Sequence, residues 1–135
     1  MSVRAPAVAL IPRLRLHAGD DIAIGPGKAD LLRLIGETGS IAAAGRAMGM
    51  SYKRAWLLVG VMNKAFAEPL VTVSRGGNQR GGAELTATGQ KVLAAYNRLL
   101  ETLGRNREVA RIAALLSPAA KPKSARRTAR AKRSG

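Results

Sequence analysis

Apolar residues recur at three- and four-residue spacing in three stretches of the chain, and this spacing predicts amphipathic helices. The first stretch follows the strand-breaking segment 25–27 and ends near residues 36–39. The second covers about 52–67, and the third begins after Thr86. Their apolar positions are Leu31, Leu32, Leu34 and Ile35; Ala55, Val59, Met62 and Phe66; and Val92, Leu93, Tyr96, Leu99, Leu100 and Leu103. A mainly helical domain is therefore expected.

Two β-hairpins are predicted outside these helices. Residues 11–17 alternate apolar and basic side chains, and they can pair with residues 22–24 across a turn at 18–21. A second hairpin covers about 70–86, where a β-branched run is followed by a glycine-rich turn and a short returning strand. Thr86 is placed to cap the helix that follows at about 87–103. The fold class is therefore α+β, mainly α.

The segment 39–59, with the sequence GSIAAAGRAMGMSYKRAWLLV, predicts two short helices joined by a tight turn. Ser40 and Ser51 are suitable N-caps, and Gly49 can adopt the left-handed conformation that ends the first helix. Gly45 is small enough to allow a close crossing of the two helices. A helix pair joined by a short glycine turn is the helix-turn-helix motif, here over about 40–67.

The N-terminal turn of the second helix carries polar and basic side chains, which is the pattern of a helix that enters the DNA major groove. Lys53 and Arg54 can bind phosphates or guanine edges. The pattern leaves Trp56 open between packing on a neighbouring strand and contacting DNA. The candidate DNA-binding residues of this motif are Ser40, Ser51, Tyr52, Lys53, Arg54, Trp56 and Leu57.

The glycine-rich turn of the second hairpin reads RGGNQRGG and has the character of a DNA-contacting wing. A phosphate-binding loop is the alternative, but the segment lacks the Gly-Lys-Ser/Thr ending that such a loop requires. A slim glycine backbone with polar side chains can reach phosphates or the minor groove. The candidate contacts here are Arg75, Asn78, Gln79 and Arg80.

The formal net charge is +15, from 23 basic and eight acidic residues among 135. Seven of the basic residues lie within 117–135, so the rest of the chain still has an excess of eight positive charges. A basic body indicates a nucleic-acid partner. Segment 117–135 is expected to be a disordered tail that is either a solubilising appendage or a non-specific phosphate contact.

Residues 24–100 resemble the N-terminal winged helix-turn-helix domain of the molybdate-responsive ModE regulators, which are related to the LysR type. The resemblance rests on IGPGKADLL, ETGSI, AMGMSYKRAW, EPLV and the glycine wing that leads to LTATG. It implies a dimer, with the helix from Ser51 in the major groove and the loop from Arg75 on the DNA backbone. Family members carry oxyanion-binding domains after this part, and the sequence here contains none. Molybdate binding by this chain is therefore not expected.

One domain is predicted at 1–116, with the tail at 117–135. The long helix at about 87–103 and the apolar set Val109, Ile112, Ala113, Leu115 and Leu116 provide more apolar surface than a small winged domain can bury alone. A homodimer would bury the remainder and present two recognition helices to a palindromic operator. The structural alternative is that the long helix only covers the domain core.

Candidate chemistry for catalysis or metal binding is scarce. The chain has no cysteine and a single histidine, His17, and its acids are scattered except for Asp20 and Asp21 in a predicted turn. No apolar run approaches the length of about 18 residues that spans a bilayer, and the N-terminus is a poor signal peptide. We therefore expect a cytoplasmic, nucleoid-associated protein with no enzymatic activity, no cofactor, no metal and no membrane partner.

These features predict sequence-specific binding of double-stranded DNA by a transcriptional regulator. Two alternatives remain at the level of sequence. The protein can instead be an architectural, nucleoid-type DNA-binding protein with little sequence specificity, in which charge dominates. It can also be a protein-interaction module whose basic surface meets an acidic partner.

Overall fold

The computed structural model describes residues 8–74 and 82–118. The elements in chain order are β1 (Leu16–Ala18), β2 (Asp21–Ile24), α1 (Pro26–Thr38), α2 (Ile41–Ala47), α3 (Tyr52–Ala65), β3 (Val71–Ser74), β4 (Gly82–Leu85), α4 (Ala87–Gly104) and α5 (Arg107–Ala114). The strands form two antiparallel hairpins, β1 with β2 and β3 with β4. The predicted mainly helical α+β class with a hairpin wing is confirmed. The described residues divide into two compact units, 13–74 with 82–99, and 8–12 with 100–118.

Helices α1, α2 and α3 form the core of the unit at 13–99. Pro26 starts α1 because its fixed φ suits the first helical turn, and Gly39, with a φ of 72°, ends it. The stripe predicted on α1 is buried at Leu31, Leu32 and Ile35. Large apolar side chains of this kind each contribute about 1.5–3 kcal/mol when fully buried. Their partners across the core include Ile41, Ala44, Ala55, Val59, Met62 and Leu70.

The turn between α2 and α3 is built as the sequence predicts. The Ser40 hydroxyl accepts a hydrogen bond from the Ala43 amide at 3.0 Å, and the Ser51 hydroxyl accepts one from the Arg54 amide at 3.1 Å. Gly49 has a φ of 72°, the left-handed conformation that glycine adopts without steric cost. Both predicted N-caps and the turn glycine are therefore confirmed. Helix α3 ends at Ala65, before the predicted end, because Phe66 is already extended.

The crossing of α2 on α3 depends on Gly45. A Cβ atom at this position would lie 3.0 Å from the Cβ of Ala55, which is itself completely buried. Such a distance is closer than ordinary van der Waals contact, so any larger residue would push the two helices apart. The predicted role of Gly45 is confirmed.

The first hairpin is shorter than the sequence indicates. Strand β1 covers only Leu16–Ala18, whereas the alternating pattern predicted a strand over 11–17. Its partner β2 has four residues, because Pro26 starts α1 two residues after β2 ends. Residues 11–15 therefore have no strand to pair with, and Pro12 lacks an N–H to donate.

The wing hairpin is attached to α3 by Asn63. The Asn63 amide oxygen accepts hydrogen bonds from the amides of Leu70 and Val71 at 2.8 and 3.1 Å, and its nitrogen donates to the Val71 carbonyl. One side chain thus pairs three backbone groups at the start of β3. Because β3 and β4 pair residue by residue, Asn63 positions the base of the wing relative to α3.

Helix α4 begins as predicted at the Thr86 cap. The Thr86 hydroxyl accepts a hydrogen bond from the Gly89 amide at 2.9 Å and donates to the Pro69 carbonyl at 2.8 Å. A Cβ atom on Gly89 would lie 2.2 Å from the Leu70 carbonyl oxygen. The first turn of α4 therefore packs directly on the chain that leads into β3.

We predict that Gly89→Ala lowers the free energy of unfolding by roughly 3 kcal/mol, since the new methyl group would overlap a backbone oxygen that cannot move independently. Urea denaturation measures this change. Gly36→Ala is the matched control, because its Cβ would make an ordinary 3.5 Å contact with Leu85. Equal stability of the two variants would contradict the proposed packing.

Candidate nucleic-acid interface

The N-terminal turn of α3 is an exposed, positively charged surface. Tyr52, Lys53 and Arg54 all face solvent. Within residues 8–74 and 82–118, none of the ion pairs involves Lys53 or Arg54. The two charges are therefore available to an external anion. The sequence contains no acidic residue over Tyr52–Ala65, so nothing on α3 itself offsets them.

Trp56 lies on the exposed part of α3, one turn after Tyr52. The two rings meet edge to face, with centroids 6.0 Å apart and an interplanar angle of 75°. Such a pair is a favourable aromatic geometry that restrains both side chains. Leu57 is also exposed beside them. The structure thus brings Tyr52, Trp56 and Leu57 to one surface, and their contact with DNA stays a prediction.

The remaining candidate residues divide into two groups. Ser40 and Ser51 use their hydroxyl oxygens as helix caps, so their first role is to begin α2 and α3. Their hydroxyl protons are not used by these caps and can be donated to a phosphate. The wing residues Arg75, Asn78, Gln79 and Arg80 lie outside the described residues, as does the predicted tail from residue 119 onward.

A basic groove adjoins the N-terminal turn of α3, and it was not predicted from the sequence. The groove is open, has a volume of about 440 Å³, and is lined by the cations Arg13, Arg15, Lys28 and Arg54. No acidic residue is among its lining side chains. The Lys28 ammonium group donates to the Ile22 carbonyl, which holds it against β2 without neutralising its charge. The only sequence feature that could have indicated the groove is the alternation of basic residues in IPRLRLH, and this alternation predicts a strand.

Tyr96 fixes one wall of this groove. Its hydroxyl donates to the Leu14 carbonyl at 2.8 Å, and its side chain is only 4% exposed. Leu14 lies between Arg13 and Arg15, so the bond holds the segment that carries two groove cations. Burial raises the pKa of Tyr96, and the negative charge of Asp30 raises it further, while Arg15 opposes the shift.

We predict that Tyr96→Phe lowers the free energy of unfolding by about 1 kcal/mol at neutral pH, because the Leu14 carbonyl loses its donor. The pKa of Tyr96 is raised in the folded state, so its contribution is complete below the unfolded pKa near 10. The contribution is lost as pH rises through the raised value. The difference between wild type and variant should therefore shrink above pH 10, as urea denaturation at several pH values would measure. Tyr52→Phe is the control, and an unchanged difference at alkaline pH would contradict the linkage.

The described ranges offer no cluster suited to a metal ion and no helix suited to a bilayer. In residues 8–74 and 82–118, no group of three His, Cys, Asp or Glu side chains comes together in a way that could hold a metal ion. Among helices α1 to α5, none combines the length and apolar character required to cross a membrane.

Two close helices joined by a glycine turn, an exposed basic start to the second helix, and a following β-hairpin together define a winged helix-turn-helix domain. No protein-family model matches the chain. The molybdenum-pterin-binding protein MopB of Rhodobacter capsulatus is 51% identical over 73 residues, which are 54% of this chain and 27% of that protein. The DNA-binding transcriptional dual regulator ModE of Escherichia coli K12 is 37% identical over 76 residues, which are 56% of this chain and 29% of that regulator.

The molybdenum transport protein ModE of Azotobacter vinelandii is 36% identical over 93 residues, or 69% of this chain and 34% of that protein. This chain thus carries a winged helix-turn-helix domain that is similar to a segment of these ModE and MopB proteins, and it spans 27 to 34% of their length. Among solved structures, the DNA-binding domain of CbnR in complex with DNA aligns with 65% of this chain and 95% of that domain. Its sequence identity is 26% and its TM-score 0.49.

Proposed function

We propose that this protein is a transcriptional regulator that binds double-stranded DNA in a sequence-specific manner, as a homodimer on a palindromic operator. The observation that carries the proposal is the exposed, basic start of α3, with Tyr52, Lys53 and Arg54. In this type of domain the N-terminal residues of the second helix contact base edges in the major groove. The name of the E. coli relative, a DNA-binding transcriptional dual regulator, supports this role.

The basic groove complements the start of α3 as a contact for the DNA backbone. Arg54 belongs to both surfaces, so a helix seated in the major groove would bring Arg13, Arg15 and Lys28 toward an adjacent phosphate. Phosphate contacts fix the register of a protein on the duplex, and base contacts supply the specificity. We assign base contacts to Lys53 and Arg54 in the first turn of α3. We assign to the other groove cations the phosphate contacts that position the protein on the duplex. We also assign Ser40, Ser51 and the wing residues Arg75, Asn78, Gln79 and Arg80 to backbone contacts.

The homodimer is supported by apolar residues that the described chain leaves exposed. Helix α5 buries none of its residues, and Ile112 and Leu115 are 64% and 85% exposed. Asn106 caps this helix through the Glu108 amide, so the helix is well formed although it buries nothing. Exposed apolar surface on a well-formed helix favours association with a second copy. A two-fold dimer would present two copies of α3 to half-sites about one helical turn apart.

The proposal places the protein at the nucleoid in the cytoplasm and assigns it no catalytic activity. Its affinity for DNA combines a specific part from α3 with a non-specific part from the cations elsewhere. The seven basic residues within 117–135 belong to the second part, since they can neutralise phosphates without reading bases.

Selection of bound duplexes from a random pool, using the full chain, tests this function directly. We expect a palindromic consensus with half-sites about 10 base pairs apart between centres, as a symmetric dimer requires. Repeating the selection with molybdate should give the same consensus and affinity. Binding with no sequence preference would instead support an architectural protein, and a gain in affinity with molybdate would contradict the expectation that this chain does not bind it.

We further predict that Lys53→Ala and Arg54→Ala each weaken operator binding by about 1–3 kcal/mol and relax sequence preference near the affected base pair. Lys91→Ala on α4 removes the same charge away from this surface and should leave binding nearly unchanged. Affinities of all three variants for operator and for mutated operators provide the measurement. Equal weakening by Lys91→Ala would show that net charge alone is responsible.

Removal of the groove cations should have a different signature. In the double variant with Arg13→Ala and Arg15→Ala, the slope of log affinity against log salt concentration should become shallower by about 0.9 for each phosphate that is no longer neutralised. The sequence preference should stay unchanged. Deletion of 117–135 should act in the same direction. DNA titrations at several salt concentrations measure the slope for both variants. An unchanged slope in the double variant would show that the groove does not contact DNA.

A further inference from the structure

Helix α3 presents one continuous exposed stripe that extends well beyond its first turn. Six exposed positions recur in the pattern i, i+3, i+4, i+7, i+8 and i+11, which places them on one face of a helix. They are Lys53, Trp56, Leu57, Gly60, Val61 and Lys64. We name these six residues the α3 stripe. Two lysines therefore lie at its ends, and apolar residues and a glycine fill its middle.

The apolar residues of the α3 stripe are not needed to build the core. Trp56, Leu57 and Val61 are 38%, 59% and 37% exposed. The core face of the same helix is formed by Ala55, Val59 and Met62, which are at most 4% exposed. Because this opposite face already closes the core, the exposed apolar middle is free to contact a partner outside the folded unit.

Gly60 indicates that this partner approaches the helix backbone closely. Glycine in a helix interior is unfavourable relative to alanine, and a Cβ atom on Gly60 would meet nothing within 4 Å. Gly45 and Gly89 differ, since neighbouring atoms of the fold exclude a side chain at both positions. No contact in the described part of the chain explains Gly60, whereas close approach by a ligand does.

The charges of α3 favour a polyanion as the partner. Lys53 and Lys64 flank the apolar middle, and the helix has no acidic residue. From Lys53 to Lys64 the helix rises by about 16 Å, close to the length of five stacked base pairs. The α3 stripe is therefore long enough to lie along the floor of a major groove over about five base pairs.

We propose that Leu57 and Val61 read thymine through its C5-methyl group, and that Gly60 lets the helix backbone sit close enough for these short side chains to reach it. The major groove displays only one apolar substituent on the four bases, and this is the thymine methyl. This proposal rests on the DNA-binding function proposed above. It assigns specificity to the second and third turns of α3, in addition to the polar first turn.

Replacing single thymines of the selected operator with deoxyuridine tests the proposal, since the exchange removes only the methyl group. At one or two positions in each half-site, the affinity of the wild-type chain should fall about fourfold, the value expected for uncovering one methyl-sized group. Leu57→Ala and Val61→Ala should each bind thymine and uracil equally at one of these positions. Wild-type binding that is insensitive to every substitution would overturn the proposal.

Gly60→Ala tests the close approach. The variant should unfold at a higher temperature than the wild type, because helix propensity improves and nothing clashes, yet bind the operator about tenfold more weakly or worse. Gly36→Ala adds the same methyl group to the interior of α1 and should not weaken operator binding. A Gly60→Ala variant that binds as well as the wild type would show that the backbone does not approach the bases.

The outcomes separate this proposal from the function on which it rests. If the wild-type chain selects no consensus, the proposed function fails. If it selects a consensus, but uracil and Gly60→Ala have no effect, only the thymine reading fails. A second copy of the chain is the alternative partner for the α3 stripe, and sedimentation equilibrium of the Leu57→Ala variant tests it. Weakened self-association of this variant would also overturn the proposal.

Discussion

The position of the exposed, basic start of α3 depends on the close contact between Gly45 and Ala55. A side chain on Gly45 would meet the Ala55 methyl group at 3.0 Å, so α2 and α3 can cross this closely only with glycine and alanine at the contact. Ala55 lies directly after the turn that carries Lys53 and Arg54. The crossing therefore sets the direction in which the Lys53 and Arg54 side chains point. An apolar contact in the core thus determines where the exposed charges lie.

Polar groups then hold each end of this geometry. Ser51 begins α3 by accepting from the Arg54 amide, so the same turn that presents charge to solvent is closed by its own cap. Near the other end of the helix, Asn63 pairs three backbone groups of Leu70 and Val71 and aligns the hairpin with the helix. Helix and wing are thus coupled by side-chain hydrogen bonds at a fixed point. A displacement of α3 would move the base of the wing with it.

Local features of the chain were predictable, because their causes are local. The caps at Ser40, Ser51 and Thr86 and the left-handed Gly49 each depend on residues within a few positions. The groove was not predictable, because it joins Arg13 and Arg15 to Lys28 and Arg54 through folding of distant segments. The bond from Tyr96 to Leu14 spans 82 residues and has no signature in periodicity. The strand predicted at 11–17 was wrong at 11–15. A strand needs a partner of similar length, and its partner β2 has only four residues.

The two faces of α3 meet opposite physical requirements with similar residues. The buried face excludes water with Ala55, Val59 and Met62, whereas the α3 stripe places apolar groups where water must first be removed by a partner. If high positive charge were the only requirement, lysine or arginine could occupy every exposed position of α3. Basic side chains bind phosphates regardless of sequence, so an all-basic stripe would raise affinity for every duplex equally. Apolar residues between two lysines contribute little to non-specific binding, and they become favourable only against a complementary apolar group. With the DNA-binding function proposed above, the composition of this surface favours discrimination between duplexes over strength of attachment.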